Sequence, residues 1–193
     1  MRSVVVAVVV LAGASAPDSL TPKLADAFAR KIVAVQAQAD QKAPKDRATT
    51  FTQAETNSYL KFQAGDLLPT GLTQPEITML GGGKVAGRAV VDLDIVRQKQ
   101  SRGSLFDPTS YLTGQLLVSV AGRIVTADGK GRFELDTADV SGVPIPKAFL
   151  GQMVNFFTRT ASNPRGSTID DTFELPARIT RIDVAAGSFT LHQ

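Results

Sequence analysis

The sequence predicts an α+β fold, with helices segregated to one face of a strongly curved antiparallel sheet and N-terminal helices ahead of it. Three observations predict it. The apolar period is helical up to about residue 63 and becomes alternating from residue 75. One very apolar helical stretch, near 147–160, interrupts the alternating segments. Glycines 87, 114 and 122 fall inside strand patterns, where they mark bends or bulges.

The chain opens with "MRSVVVAVVVLAGASAPDS". Arg2 is a positive flank, Val4 to Ala12 an apolar run, and small residues follow. That pattern predicts a secretory signal over 1–16, with cleavage after Ala14 preferred because Pro17 follows Ala16, or the same segment retained as an anchor. A first buried strand is the alternative, since valine favours strands. Residues 17–50 are expected to hold a helix and a linker. Thr21-Pro22 starts the helix, and Leu24, Phe28, Ile32 and Val35 form one stripe along 22–40. Lys42 to Thr50 is a polar linker with Pro44. "TQAE", 52–55, is a capping box opening a second helix over 53–63.

Residues 51–193 are expected to form the main α+β domain. "EITML" is its first strand, and Gly81-Gly82-Gly83 a tight turn. In "KVAGRAVVDLDIVRQ", Val85, Ala89, Val91, Leu93 and Ile95 share one strand face, with Arg88, Asp92 and Asp94 on the other. Residues 103–114 read as a loop or short helix. "QLLVSVAGRIVTA" and "GRFELDTADV" flank Asp128-Gly129, a hairpin signal. "FELP" is a short extended piece. "RITRIDVAAGSFTLHQ" is a closing hairpin with Ile179, Ile182, Val184, Phe189 and Leu191 inward.

"VSGVPIPKAFLGQMVNFF", 140–157, carries the functional question. Pro144 and Pro146 hold Val143 and Ile145 extended, and Pro146 suits a first helical position. Phe149, Leu150, Met153, Val154 and Phe157 then form a broad apolar arc, and Gln152, Asn155 and Arg159 a narrow polar stripe. Such an arc must be covered, either by side chains alone or by side chains and an apolar ligand.

Composition removes several function classes. Net charge is +3 with basic residues scattered, and there is no Trp and only two Tyr, so nucleic-acid binding is not expected. The charge leaves a mild preference for anionic surfaces such as lipid headgroups, and with it a peripheral or transient membrane contact. With no Cys and one His, a zinc site would need carboxylates almost alone, and a Ser-His-Asp triad would have to use His192, with no G-x-S-x-G elbow in the sequence. His192 reads as a solvated terminal residue. Asp92 and Asp94 read as part of a mixed-charge strand face, Asp170 and Asp171 as loop carboxylates that cap a helix or hold calcium. "GGGKV" lacks the remainder of a phosphate loop. The protein is therefore expected to be no enzyme and to need no cofactor.

Three stretches together carry a family resemblance. "FTQAETNSYLKF", "DVSGVPIPKAFLGQMV" and "FELPARITRIDVAAGSFTL" resemble, in that order, the opening helix, the strand-to-helix step and the closing hairpin of bacterial relatives of the tubular lipid-binding (TULIP) superfamily, the YceB-, YpmS- and LmeA-like envelope proteins. The resemblance spans roughly 50–193, without the lipid-bearing cysteine of the lipoprotein members. It implies a highly curved antiparallel β-sheet wrapped around a long helix, with an apolar groove between them that takes lipid chains. Glu55, Asn57, Leu60, Pro176 and Gly187 match its motifs in structural roles. The expectation is an exported, periplasmic lipid-binding or lipid-transfer protein. Phe149, Met153, Phe157, Leu93, Val118, Phe133 and Phe189 are its candidate ligand-lining residues. The second expectation is an envelope scaffold or assembly subunit with a filled core, meeting an envelope protein partner through 22–40.

Overall fold

A computed structural model of the protein describes residues 19–42, 46–95, 114–159 and 163–193. The expected signal at 1–16 and nearly all of the expected loop at 103–114 lie outside the described residues.

Helix α1 (Pro22–Ala39) begins where the Thr21 hydroxyl accepts the Leu24 amide, with Pro22 in the first turn. Strand β1 (Ala48–Thr52) follows, then helix α2 (Gln53–Phe62). The capping box forms as the sequence predicts. The Thr52 hydroxyl accepts the Glu55 amide at 3.1 Å, and the Glu55 carboxylate accepts the Thr52 amide at 2.9 Å.

The large antiparallel sheet runs β2 (Leu72–Gly81), β3 (Lys84–Asp92), β4 (Gln115–Ala127), β5 (Lys130–Val140) and β6 (Val143–Pro144), in that order. Helix α3 (Lys147–Phe157) comes next, then the short β7 (Phe173–Glu174), which pairs with the start of β5. The closing hairpin is β8 (Arg181–Ala185) and β9 (Ser188–His192), and β1 joins it as a three-stranded sheet ordered β1-β9-β8. The fold is thus α+β with a large antiparallel sheet. Among the described residues no helix is long and apolar enough to cross a membrane.

Four local expectations are corrected. The polar linker ends in β1, because Phe51 pairs with Phe189 and is fully buried; its partner strand lies far along the chain and leaves no local signal. The first strand of the large sheet starts at Leu72 rather than at residue 76. Pro75, which has no amide to donate, sits in a bulge between Thr73 and Glu76 on this outermost strand. The next strand stops at Asp92, where the carboxylate accepts the amides of Asp94 and Ile95 at 3.0 and 3.1 Å and turns the chain into a helical turn. His192 is not a frayed end. It pairs with Ala48 and Arg181 in adjacent strands, its Nε2 lies 2.8 Å from Asp183, and the Gln193 side chain behind it donates to the Val35 and Ala177 carbonyls.

The hairpin signals are realised. Gly82-Gly83 and Asp128-Gly129 each form a two-residue turn with positive φ at both positions, the geometry that suits twisted strands.

α1, α2 and the small sheet enclose one core of Phe28, Val35, Phe51, Leu175, Ile179 and Leu191. Phe28 stacks on Tyr59 and meets Phe51, which stacks on Phe189. The small sheet is tied to the large one by main-chain bonds from Gly187 to Met79 and from Gly83 to Val184. The Thr126 hydroxyl adds two, accepting the Ile182 amide and donating to its carbonyl. On the other side, the Asn57 amide group donates to and accepts from Ile77 of β2, both at 2.8 Å, and Gln53 accepts the Met79 amide. The outer edge of the large sheet is thereby satisfied.

Candidate functional site

The two faces of the large sheet differ. Strand register puts Val85, Gly87, Ala89 and Val91 of β3 beside Gly122, Val120, Val118 and Leu116 of β4. Phe133, Leu135, Ala138 and Val140 of β5 continue the same face. Of this set Gly122 and Ala138 are buried, and the others remain half-buried. The opposite face carries charge, with Arg88 paired to Glu76 and Arg132 to Glu134.

α3 reaches the β5 end of the apolar face through the β6 corner. Pro146 is the residue before the helix rather than its first member, and its carbonyl accepts the Phe149 and Leu150 amides. After the helix the chain returns across its polar stripe. The Asn155 amide donates to the Arg165 carbonyl at 2.6 Å, and the Thr158 hydroxyl accepts the Ser167 amide at 2.7 Å. Gly166 permits the closeness, since a Cβ there would lie 2.2 Å from the Asn155 carbonyl. Lys147, at the start of α3, pairs with Asp170 in the returning segment. Phe173 then lays its ring over Gly131 as β7 joins β5.

Sheet, helix and returning segment enclose a cleft of about 580 Å³. Val120, Phe133 and Leu135 form its floor, Leu150 and Val154 its helical wall. The third side is the strap Ser167–Phe173, with Ser167, Thr168, Ile169, Asp171, Thr172 and Phe173 facing in. The Phe133 ring lies over Gly122, where a Cβ would approach it to 2.6 Å, so the absent side chain makes room for an aromatic floor. A second cavity, of about 460 Å³, lies between α2 and the start of β2, with Leu60, Leu68 and Pro75 in its wall.

Of the seven residues that sequence reasoning nominates, Phe133 lines the cleft. Val118 is on the same sheet face, two residues from Val120. Phe149 is on α3 but leaves 37% of its surface exposed. Met153 and Phe157 belong to α3, and their side chains lie outside those described. Leu93 is buried just past the end of β3, in the helical turn that follows it, and Phe189 is in the small sheet, its ring 4.8 Å from that of Phe51. Reasoning from sequence missed Val120, Leu135, Leu150, Val154, Phe173 and the strap. Alternation and helical period carried a signal for the first four, but only as members of a face. Nothing local marks the strap.

The carboxylates considered for chemistry have structural partners. The Ile95 amide, then the Gln115 side chain, hold the Asp92 carboxyl below its ordinary value. The Thr168 amide and hydroxyl, each at 2.7 Å, do the same for Asp171 and pin the strap's turn. Among the described residues no group of three or more His, Asp or Glu converges. No protein-family model matches this chain, and no curated protein does.

Proposed function

We propose that this protein binds an acyl chain or similar apolar molecule in the cleft between α3 and the large sheet, as an exported lipid-binding or lipid-transfer protein of the cell envelope. One observation carries the reading. A cleft of about 580 Å³ opens at the helix whose apolar arc asked for a cover, and it continues onto a half-buried apolar sheet face. Ligand pockets occupy roughly 300–1,000 Å³, so the size suits a small lipid. Burying a chain there yields about 0.8 kcal/mol per methylene, enough for useful affinity without polar chemistry.

Export rests on the N-terminal pattern and the TULIP-like resemblance. The reading takes over that family's arrangement, a highly curved sheet wrapped around a helix, with α3 as the helix. Bulges in β2 and between β4 and β5 support it, because each adds local twist. Half of the α1 stripe, proposed as a partner surface under the scaffold reading, is spent inside the chain: Phe28 and Val35 are buried in the core, Leu24 is half-buried and Ile32 is exposed.

The test is uptake of the neutral fluorescent dye N-phenyl-1-naphthylamine by delipidated protein, together with native mass spectrometry of the protein as purified. A blue-shifted, saturable signal and a co-purifying lipid mass are expected. A folded protein showing neither overturns the reading and leaves the filled-core scaffold.

A further inference from the structure

The cleft is asymmetric in polarity. Its floor and helical wall, Val120, Phe133, Leu135, Leu150 and Val154, offer no hydrogen-bonding side chain. Among the described residues, its polar side chains are all on the strap: the Ser167, Thr168 and Thr172 hydroxyls and the Asp171 carboxylate. An elongated amphiphile therefore lies with its chain on the sheet and its polar end at the strap. Among the described residues none that lines the cleft is basic. The two described cations of α3 and its C-terminal end are engaged elsewhere, Lys147 with Asp170 and Arg159 with the Asn155 side chain. The Thr168 amide and hydroxyl keep Asp171 ionised, and each carboxylate oxygen retains a lone pair.

From this we infer that the cleft selects amphiphiles with an uncharged, hydroxyl-bearing head, of the monoacylglycerol kind, and rejects those with an anionic head. The inference rests on the proposed binding function and specifies its ligand class. An anionic head would be brought beside a fixed carboxylate with no cation among the described lining residues to offset it, while a hydroxyl head donates to Asp171 and exchanges hydrogen bonds with Thr172. Discrimination then comes from repulsion as much as from attraction. The scattered surface charge of +3 does not bear on it, because selectivity is set by the groups that touch the head.

Displacement of the bound dye at pH 8 by 1-monooleoylglycerol, oleate and methyl oleate, each below its aggregation threshold, tests the assignment. All three present the same chain. The expected order places 1-monooleoylglycerol about tenfold tighter than oleate, a 1.4 kcal/mol difference, with methyl oleate also weaker because it donates no hydrogen bond. Asp171→Asn is expected to narrow the gap to oleate severalfold. Thr172→Val, which leaves the strap's turn intact, is expected to narrow the gap to methyl oleate. Oleate binding as tightly as 1-monooleoylglycerol, methyl oleate doing so, or an unchanged ratio in Asp171→Asn overturns the assignment while the dye still binds. Failure of the dye itself removes the binding function, a different result.

Discussion

Gly122 and Gly151 show how one missing side chain means opposite things in two places. At Gly122 a Cβ would lie 2.3 Å from the Glu134 carbonyl, so the strands themselves would have to part. Gly122→Ala is expected to cost about 1–3 kcal/mol, read as a lower urea midpoint at unchanged slope. At Gly151, inside α3, nothing stands within 4 Å of the same atom. Gly151→Ala is expected to stabilise by about 0.5–1 kcal/mol through helix propensity. Glu55 is a third case. Burial opposes its ionisation, yet the Lys31 ammonium at 2.7 Å and the Thr52 amide outweigh that and hold its carboxyl below the ordinary 4.5. A depressed value means the stability is fully present above pH 4.5 and is lost as pH falls through the folded-state value. Acid unfolding monitored by circular dichroism should show a shallower acid limb in Glu55→Gln, with lower stability than the parent at neutral pH.

Elements are held by side chains borrowed from their neighbours. α2 is short and weakly apolar, but Asn57 and Gln53 project from it as substitutes for a missing strand beside β2. Asn57→Ala would leave the Ile77 amide and carbonyl unpaired at a sheet edge. The expected loss is about 2 kcal/mol, and faster hydrogen exchange at Ile77 distinguishes it from general destabilisation. Sequence reasoning placed this helix and its cap correctly, because both are local. It assigned Asn57 a structural role from the resemblance, but the strand that Asn57 serves begins fifteen residues later and only the fold brings them together. β1 was illegible for the same reason: five residues with one large apolar side chain become a strand only where β9 is present to pair with them.

At the scale of the molecule, two sheets share one set of connections while their apolar faces are used differently. The small sheet is closed by α1 and α2 around the Phe28–Phe51–Phe189 stack. The large sheet is covered at its β5 end by α3 and the strap, with the cleft between. Filling that cleft separates binding from folding. Val154→Trp is expected to abolish dye uptake while changing stability by no more than about 1 kcal/mol, since the added volume enters space already present. Loss of uptake with collapse of the thermal transition would instead make Val154 a packing residue.

The sequence by itself determined what is written in neighbours a few residues apart. The helical stripe of 22–39, the capping box at Thr52, the paired glycine turns and the apolar arc of α3 all follow from local periodicity and backbone preference. It also set the charge, the lack of cysteine and the scarcity of histidine. The tertiary structure alone decided which apolar residues close on one another and which leave a gap. Val118 and Val120 are equivalent in any alternating pattern, as are Phe149 and Leu150 on a wide helical arc. What separates them is where α3 crosses β5 and where the strap returns, and that depends on Asn155, Thr158 and Lys147 finding partners up to 23 residues away. Periodicity names a face, and only packing between distant segments chooses the point on it where a cleft opens.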